Sequence, residues 1–293
     1  MWNRLNDRAG DRGGARGIYY ERLARLPRRA RRALQRKWRR PLAAIALLLA
    51  LGQIPALAAT LPVAPGVAPD IVLDGACSLI EAIENANADA QMHADCPAGN
   101  GADTVVLPAS STQTLTQIHN EDDLGANGLP VITSSRITIE GNDSTIMRAG
   151  AAPEFRIFAV NGTANLTLNE TTVSGGKSAN NGGGIFGVNG AEITVTNSIV
   201  SGNSAAFGGG LDNDYRGTMT LTNSTVSGNS ARFSGGGVGN LGTLLTLTNS
   251  TVSGNSVPFA GGGLSALVLR PSPTALSPGI SPTRAAAWIT PPA

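Results

Sequence analysis

Val195-Thr196-Asn197-Ser198-Ile199-Val200-Ser201-Gly202-Asn203-Ser204 is followed one period later by Leu221-Thr222-Asn223-Ser224-Thr225-Val226-Ser227-Gly228-Asn229-Ser230, and the same string returns at Leu247 to Ser256. Repetition at a fixed period is the sequence signature of a stacked architecture. The valines at 173, 200, 226 and 252 keep this spacing, and Ile146 lies one period before the first of them. The last glycines of the triplets, at 184, 210, 237 and 263, keep it too. Inside each unit apolar and polar residues alternate with period two, and the runs stop at Ser-Gly-Asn or Gly-Gly-Gly. That is strand-and-turn chemistry, without helical spacing. Short strands that return once per circuit of about 26 residues predict an all-β fold, a parallel β-helix whose coils stack on one another.

In such a solenoid, inward positions repeat from coil to coil. Val200, Val226 and Val252 are expected to form one apolar ladder, and Phe207, Phe233 and Phe259, each at the same offset from those valines, a second. The six phenylalanines of the chain are accordingly assigned to the core. Asn203, Asn229 and Asn255 are expected to stack at a turn, their amides bonding coil to coil. About six coils between Asp103 and Leu264, at ~4.8 Å each, give a rod of roughly 30 Å. A rod of this kind exposes its core at both ends and needs caps. At the N-terminal end Ser78-Leu79-Ile80-Glu81 is a capping box, with Ser as N-cap and Glu at the third helical position. Leu79, Ile80, Ile83 and Ala86 give the helix that follows an apolar face to close the first coil.

The flanks read differently. Residues 1–40 hold 14 of the 22 basic groups, with Asp7, Asp11 and Glu21 as their only acids. From Pro41 onward 8 basic groups face 17 acidic ones, so the body is acidic and lacks the basic stripe that phosphate binding requires. The apolar stretch Leu42 to Gly52 follows the basic run, and Pro55 and Ala56-Leu57-Ala58-Ala59 come next. This is the pattern of a secretory signal peptide, with cleavage expected after Ala58. The stretch is too short for a membrane span, which takes ~20 apolar residues. The expected organisation is a leader over 1–58, a cap over 59–102, a β-helix over 103–264 and a disordered tail over 265–293. The protein is expected to be exported, to the cell surface or beyond. In an oxidising compartment Cys77 and Cys96 are expected to form one disulfide, with His93 between them as an exposed loop residue.

The tail has six prolines beyond Ser265 and loses the repeat. Reading each codon one base early, the stretch from Pro271 can encode Val-Thr-Asn-Ser-Thr-Val-Ser-Gly-Asn-Ile. The next stretch can encode Gly-Gly-Gly-Leu-Asp-Asn, the string found at Gly208 to Asn213. A frameshift between Ser265 and Arg270 is therefore expected to have replaced the last coil and what followed it. The remaining core would then be exposed to edge pairing, and a truncated, non-functional product becomes one reading of the chain.

Cys77-Ser78-Leu79-Ile80-Glu81-Ala82, Ala102-Asp103-Thr104-Val105-Val106-Leu107-Pro108 and Ile137-Thr138-Ile139-Glu140-Gly141-Asn142 resemble the N-terminal segments of secreted β-helix proteins of the CSLREA-domain family. Ile80 departs from the Arg usual there. Val200-Ser201-Gly202-Asn203-Ser204-Ala205 with Gly208-Gly209-Gly210-Leu211 is similar, more loosely, to the repeats of polymorphic outer membrane proteins, Val standing where those carry an aromatic residue. The resemblance implies a right-handed pectin-lyase-like β-helix, in line with the general preference for right-handed crossovers. It implies no particular reaction.

An enzyme of this fold would need converging ionisable groups, such as paired carboxylates. From Asn165 to Leu264 the acids are Glu170, Glu192, Asp212 and Asp214, and the bases Lys177, Arg216 and Arg232. Asp212-Asn213-Asp214-Tyr215-Arg216 is the strongest local candidate. It reads as a solvated loop, or as a ligand site in which Asp212 and Asp214 supply oxygen to Ca2+. Glu121-Asp122-Asp123 reads as a surface loop. Sequons at Asn142, Asn161, Asn165, Asn169, Asn223 and Asn249 follow from the repeat itself. No catalytic residue and no cofactor is assigned. The expected role is adhesive or structural, toward a glycan or protein outside the cell, with no nucleic acid as partner. The alternative is an enzyme acting on acidic polysaccharide, and the lack of Trp between Pro41 and Leu264 argues against it.

Overall fold

The computed structural model describes residues 58–133, 136–258, 262–266 and 269–271. All but the last residue of the expected leader, Phe259 and most of the expected tail lie outside them. The chain is a parallel β-solenoid of about five turns with one short helix. Its main sheet stacks Thr60–Pro62, Ala102–Val106, Arg136–Arg148, Asn165–Ser174, Glu192–Thr196, Thr218–Thr222, Leu244–Thr248 and Leu269–Pro271 in that order, each pairing in parallel with the next. A second sheet stacks Phe158–Asn161, Ile185–Val188, Leu211–Asn213, Val238–Asn240 and Leu264–Ala266.

The period-two pattern sorts side chains between core and solvent. In Thr218–Thr222 Met219 and Leu221 are fully buried while the threonines face out, and Ile193 and Val195 do the same one coil earlier. Val200 pairs with Val226 and Val226 with Val252, so the expected ladder exists. Val173 and Ile146 continue it below. Val226 is fully buried, whereas Val252 and Leu264 are only partly so, and the core thins toward the last described coil. The asparagine stack also exists. Asn203 donates through Nδ2 to Asn229 Oδ1 at 3.0 Å, and Asn229 to Asn255 Oδ1 at 3.0 Å. A parallel column of hydroxyls, with Ser198 Oγ accepting from Thr171 N–H and Ser224 Oγ from Ser198 N–H, satisfies the neighbouring turn.

The phenylalanine ladder expected in the core needs correcting. Phe207 and Phe233 are 41% and 50% exposed, on the outside of the solenoid. The reason is local. Ser204–Phe207 and Ser230–Ser234 leave the barrel as an outward arm, and the glycine triplet brings the chain back. The register slips between Ala205 and Phe207, so Phe207 pairs with Ser234 and the inward–outward count from Val200 is lost. The return must be glycine. A Cβ on Gly209 would sit 2.1 Å from the Ser230 carbonyl oxygen.

The helix α1 spans Leu79–Ala88, with both arms of the capping box formed between Ser78 and Glu81. Leu79, Ala82, Ile83 and Ala86 are fully buried and close the core. The Cys77–Cys96 disulfide joins the residue before the N-cap to the loop that follows the helix. Asn85, fully buried, fastens that loop by donating to the carbonyls of His93, Cys96 and Pro97.

Candidate functional site

The arm formed by Lys177 to Gly182, and its repeat at Ser204 to Gly208, covers the outer face of the second sheet. There the strand Leu211–Asn213 turns Leu211 into the core and Asp212 outward, beneath the arm. Asp212 is 2% exposed and Asp214 8%. The solvated-loop reading of these acids is therefore wrong. Asp212 fits because its neighbours are glycines. A Cβ on Gly208 would come 2.4 Å from its Cβ, and one on Gly239, its partner in the next coil, 2.1 Å from Oδ1.

Asn181 holds the pair together. Its Nδ2 donates to Asp212 Oδ2 at 2.6 Å and to Asp214 Oδ2 at 2.9 Å. Burial, and then the charge of Asp214, push the Asp212 carboxyl up to about 7, against the stabilising Asn181 bond. Burial also raises Asp214, whose Oδ1 is buried without a partner. Arg216 does not join them. It is exposed, at φ 67°, and forms no ion pair with Asp214 among the described residues.

The cation facing Asp212 is Arg156, from an earlier coil and fully buried. Its guanidinium lies 4.9 Å over the Phe186 ring and donates to Asn127 Oδ1, the Leu124 carbonyl and Ser178 Oγ. Burial lowers its pKa to about 10, although Asp122 and Asp212 oppose the shift, so it stays charged at neutral pH. Phe186 is the strand partner of Asp212, which makes the arginine, the ring and the acid a single stack under the arms. A signal for Arg156 was present in the sequence, a lone charge inside Phe155-Arg156-Ile157-Phe158-Ala159-Val160.

Two further groupings escaped the sequence. Phe207 and Phe233 lie 5.1 Å apart between centroids, tilted by 32° to one another, and Arg232 lies 5.0 Å over the Phe233 ring. This is an exposed aromatic platform where none was expected. At the cap, Glu84 sits between two histidines, bonded to His93 through Oε2 and to His119 Nε2 at 3.1 Å through Oε1. His93 is thus a partnered, half-buried group and not a free loop residue. Glu84 and His119 line an open hollow of about 530 Å³ together with Asp122. Glu121 and Asp122 lie exposed in the first strand of a hairpin formed by Asn120–Asp122 and Gly125–Asn127, and Asp123 in its turn. Among the described residues no three His, Cys, Asp or Glu groups are gathered as a metal would require.

Compared with known proteins, the chain matches no family model, no curated protein and no solved structure.

Proposed function

We propose that this chain is an exported β-solenoid of the CSLREA-domain type that acts by adhesion, holding a glycan or protein outside the cell. The observation that carries the reading is the Phe207–Phe233 platform. Two flat rings held 5.1 Å apart in water, with a guanidinium over one of them, cost solvation and add nothing to the core. Such surfaces stack against sugar rings or apolar side chains, and aromatic and Arg residues dominate binding hot spots. The arm projects them from the solenoid, and the sequence places Phe259 at the same repeat position one coil further.

A second reading, cleavage of an acidic polysaccharide, is favoured by the paired carboxylates with raised pKa. Against it stands their seat under the arms, where a polymer cannot reach them. Retention of the purified chain on arrays of glycans and on cell-envelope preparations tests the first reading. Phe233→Ala should lower that retention by roughly tenfold, ~1.4 kcal/mol. Release of unsaturated or reducing ends from acidic polysaccharide with Ca2+, abolished in Asp214→Ala, would replace adhesion by catalysis.

A further inference from the structure

The outward face of the main sheet carries a column of one residue type over seven successive strands, ending where Arg270 pairs with Thr246. Thr60 pairs with Thr104, Thr104 with Thr138, Thr138 with Thr167, Thr167 with Thr194, Thr194 with Thr220 and Thr220 with Thr246. The early members of this column are far more widely spaced along the chain than the late ones, so the loops and the helix inserted between them have left it intact. The core does not require this, because these side chains point away from it. In the last three of these rungs the column widens. Thr196, Thr222 and Thr248 form a second file, and Thr218 stands in a third between Glu192 and Leu244. Seven of these nine outward positions are threonine, in strands paired without a register shift.

We propose that this threonine lattice is a binding face for ice. Its repeat and its charge both favour such an occupant. Rungs stand about 4.8 Å apart, close to one repeat of hexagonal ice, and alternate residues along a strand about 6.7 Å apart, within about a tenth of the other. Threonine is β-branched and stiff at χ1, so neighbouring copies present hydroxyl and methyl in one orientation at little entropic cost. Each hydroxyl both donates and accepts, as each lattice water does. The nine positions hold a single charge, Glu192 at the edge, and the rung beyond them places Arg270 beside Thr246, so charge is confined to the margin of the face and leaves an ionic polymer little to pair with. They hold no aromatic ring, so a crystalline polysaccharide has no platform there. An uncharged, periodic, hydrogen-bonding solid is the occupant that complements this face. The aromatic arm belongs to other strands and takes no part in it.

The test uses the purified full-length chain, with inhibition of ice recrystallisation and partition into a slowly growing ice front as readouts. Wild type should inhibit and partition. Thr220→Lys and Thr194→Lys, each checked for an unchanged thermal midpoint, should lose both effects, and Phe233→Lys should keep them. A folded wild-type chain without effect on ice overturns the proposal. So does a Phe233→Lys variant that fails alongside the threonine variants, since the face would then be misassigned. Retention on microcrystalline chitin or cellulose that Thr220→Lys abolishes, with no effect on ice, overturns it in favour of a polysaccharide. Loss of the glycan binding tested above, with ice binding intact, would remove the adhesive reading alone.

Discussion

From Glu192 to Ser256 every circuit of the chain has nearly the same length, whereas the circuits from Thr60 through Thr104 and Thr138 to Thr167 are longer and shorten step by step. Both regions build the same main sheet. They differ in what stabilises them. The later coils repeat identical contacts, with valine on valine, asparagine on asparagine and glycine triplet on glycine triplet. The earlier coils place their extra residues outside the barrel as the helix α1, the disulfide loop and the 120–127 hairpin. Hydrogen bonds peculiar to each insertion then hold it, through Asn85, Glu84 and Arg156. A solenoid thus tolerates individuality as long as strand register survives, because each coil contacts only its neighbours. The buried cation and the acid it faces lie where the two regimes meet, with Arg156 from the irregular side under Asp212 from the regular one.

The largest break of this contrast is Gly209→Val. Its Cβ has no room between the carbonyl oxygens of Ser230 and Gly236, at 2.1 and 2.5 Å, and backbone cannot yield cheaply. A loss of at least ~4 kcal/mol is expected from denaturant unfolding. Gly150, in an irregular loop, has nothing within 4 Å of its added Cβ, and Gly150→Ala should change stability by no more than about 0.5 kcal/mol.

At the junction the sign follows from the raised carboxyl. Folding lifts Asp212 from 3.8 to about 7, so the folded state holds a proton that the unfolded chain has released. The associated stability is fully present below about pH 4 and is lost as pH rises through about 7. Asp212→Asn should flatten the slope over this window and raise stability at pH 8, by a change on the order of 4 kcal/mol. An unaltered pH profile would show that the arms admit water to the carboxyl.

In the cap, reducing the Cys77–Cys96 bridge should cost about 3 kcal/mol, as expected for a closed loop of this modest size. Hydrogen exchange should speed up in α1 and leave the Val226 rung unaffected.

The regular half was legible because repetition brings out the pattern. Val200, Val226 and Val252 had to be neighbours once the period was seen, and the capping box named the helix from Ser78 to Glu81 alone. Phe207 and Phe233 were misread because inward–outward counting holds only along an unbroken strand. An arm with a register slip separates them from Val200. Asp212 looked like a loop residue because its cover is supplied by Asn181, more than one coil earlier, and by glycines in its own and the next coil. The length of the threonine column beyond the regular coils was hidden for a related reason. Its first members are spaced so unevenly that no period connects Thr60 with Thr104 or Thr138.

The sequence by itself therefore determined the winding: strand alternation, turn glycines and end cap can be read within one unit, and the period by laying one unit on the next. The tertiary structure alone decided which outward residues are covered and which are aligned, because both depend on distant chain segments, separated by a variable length, being brought to one height on the axis. That is why the buried Arg156–Asp212 stack, the exposed phenylalanines and the early rungs of the threonine column emerged only from the fold.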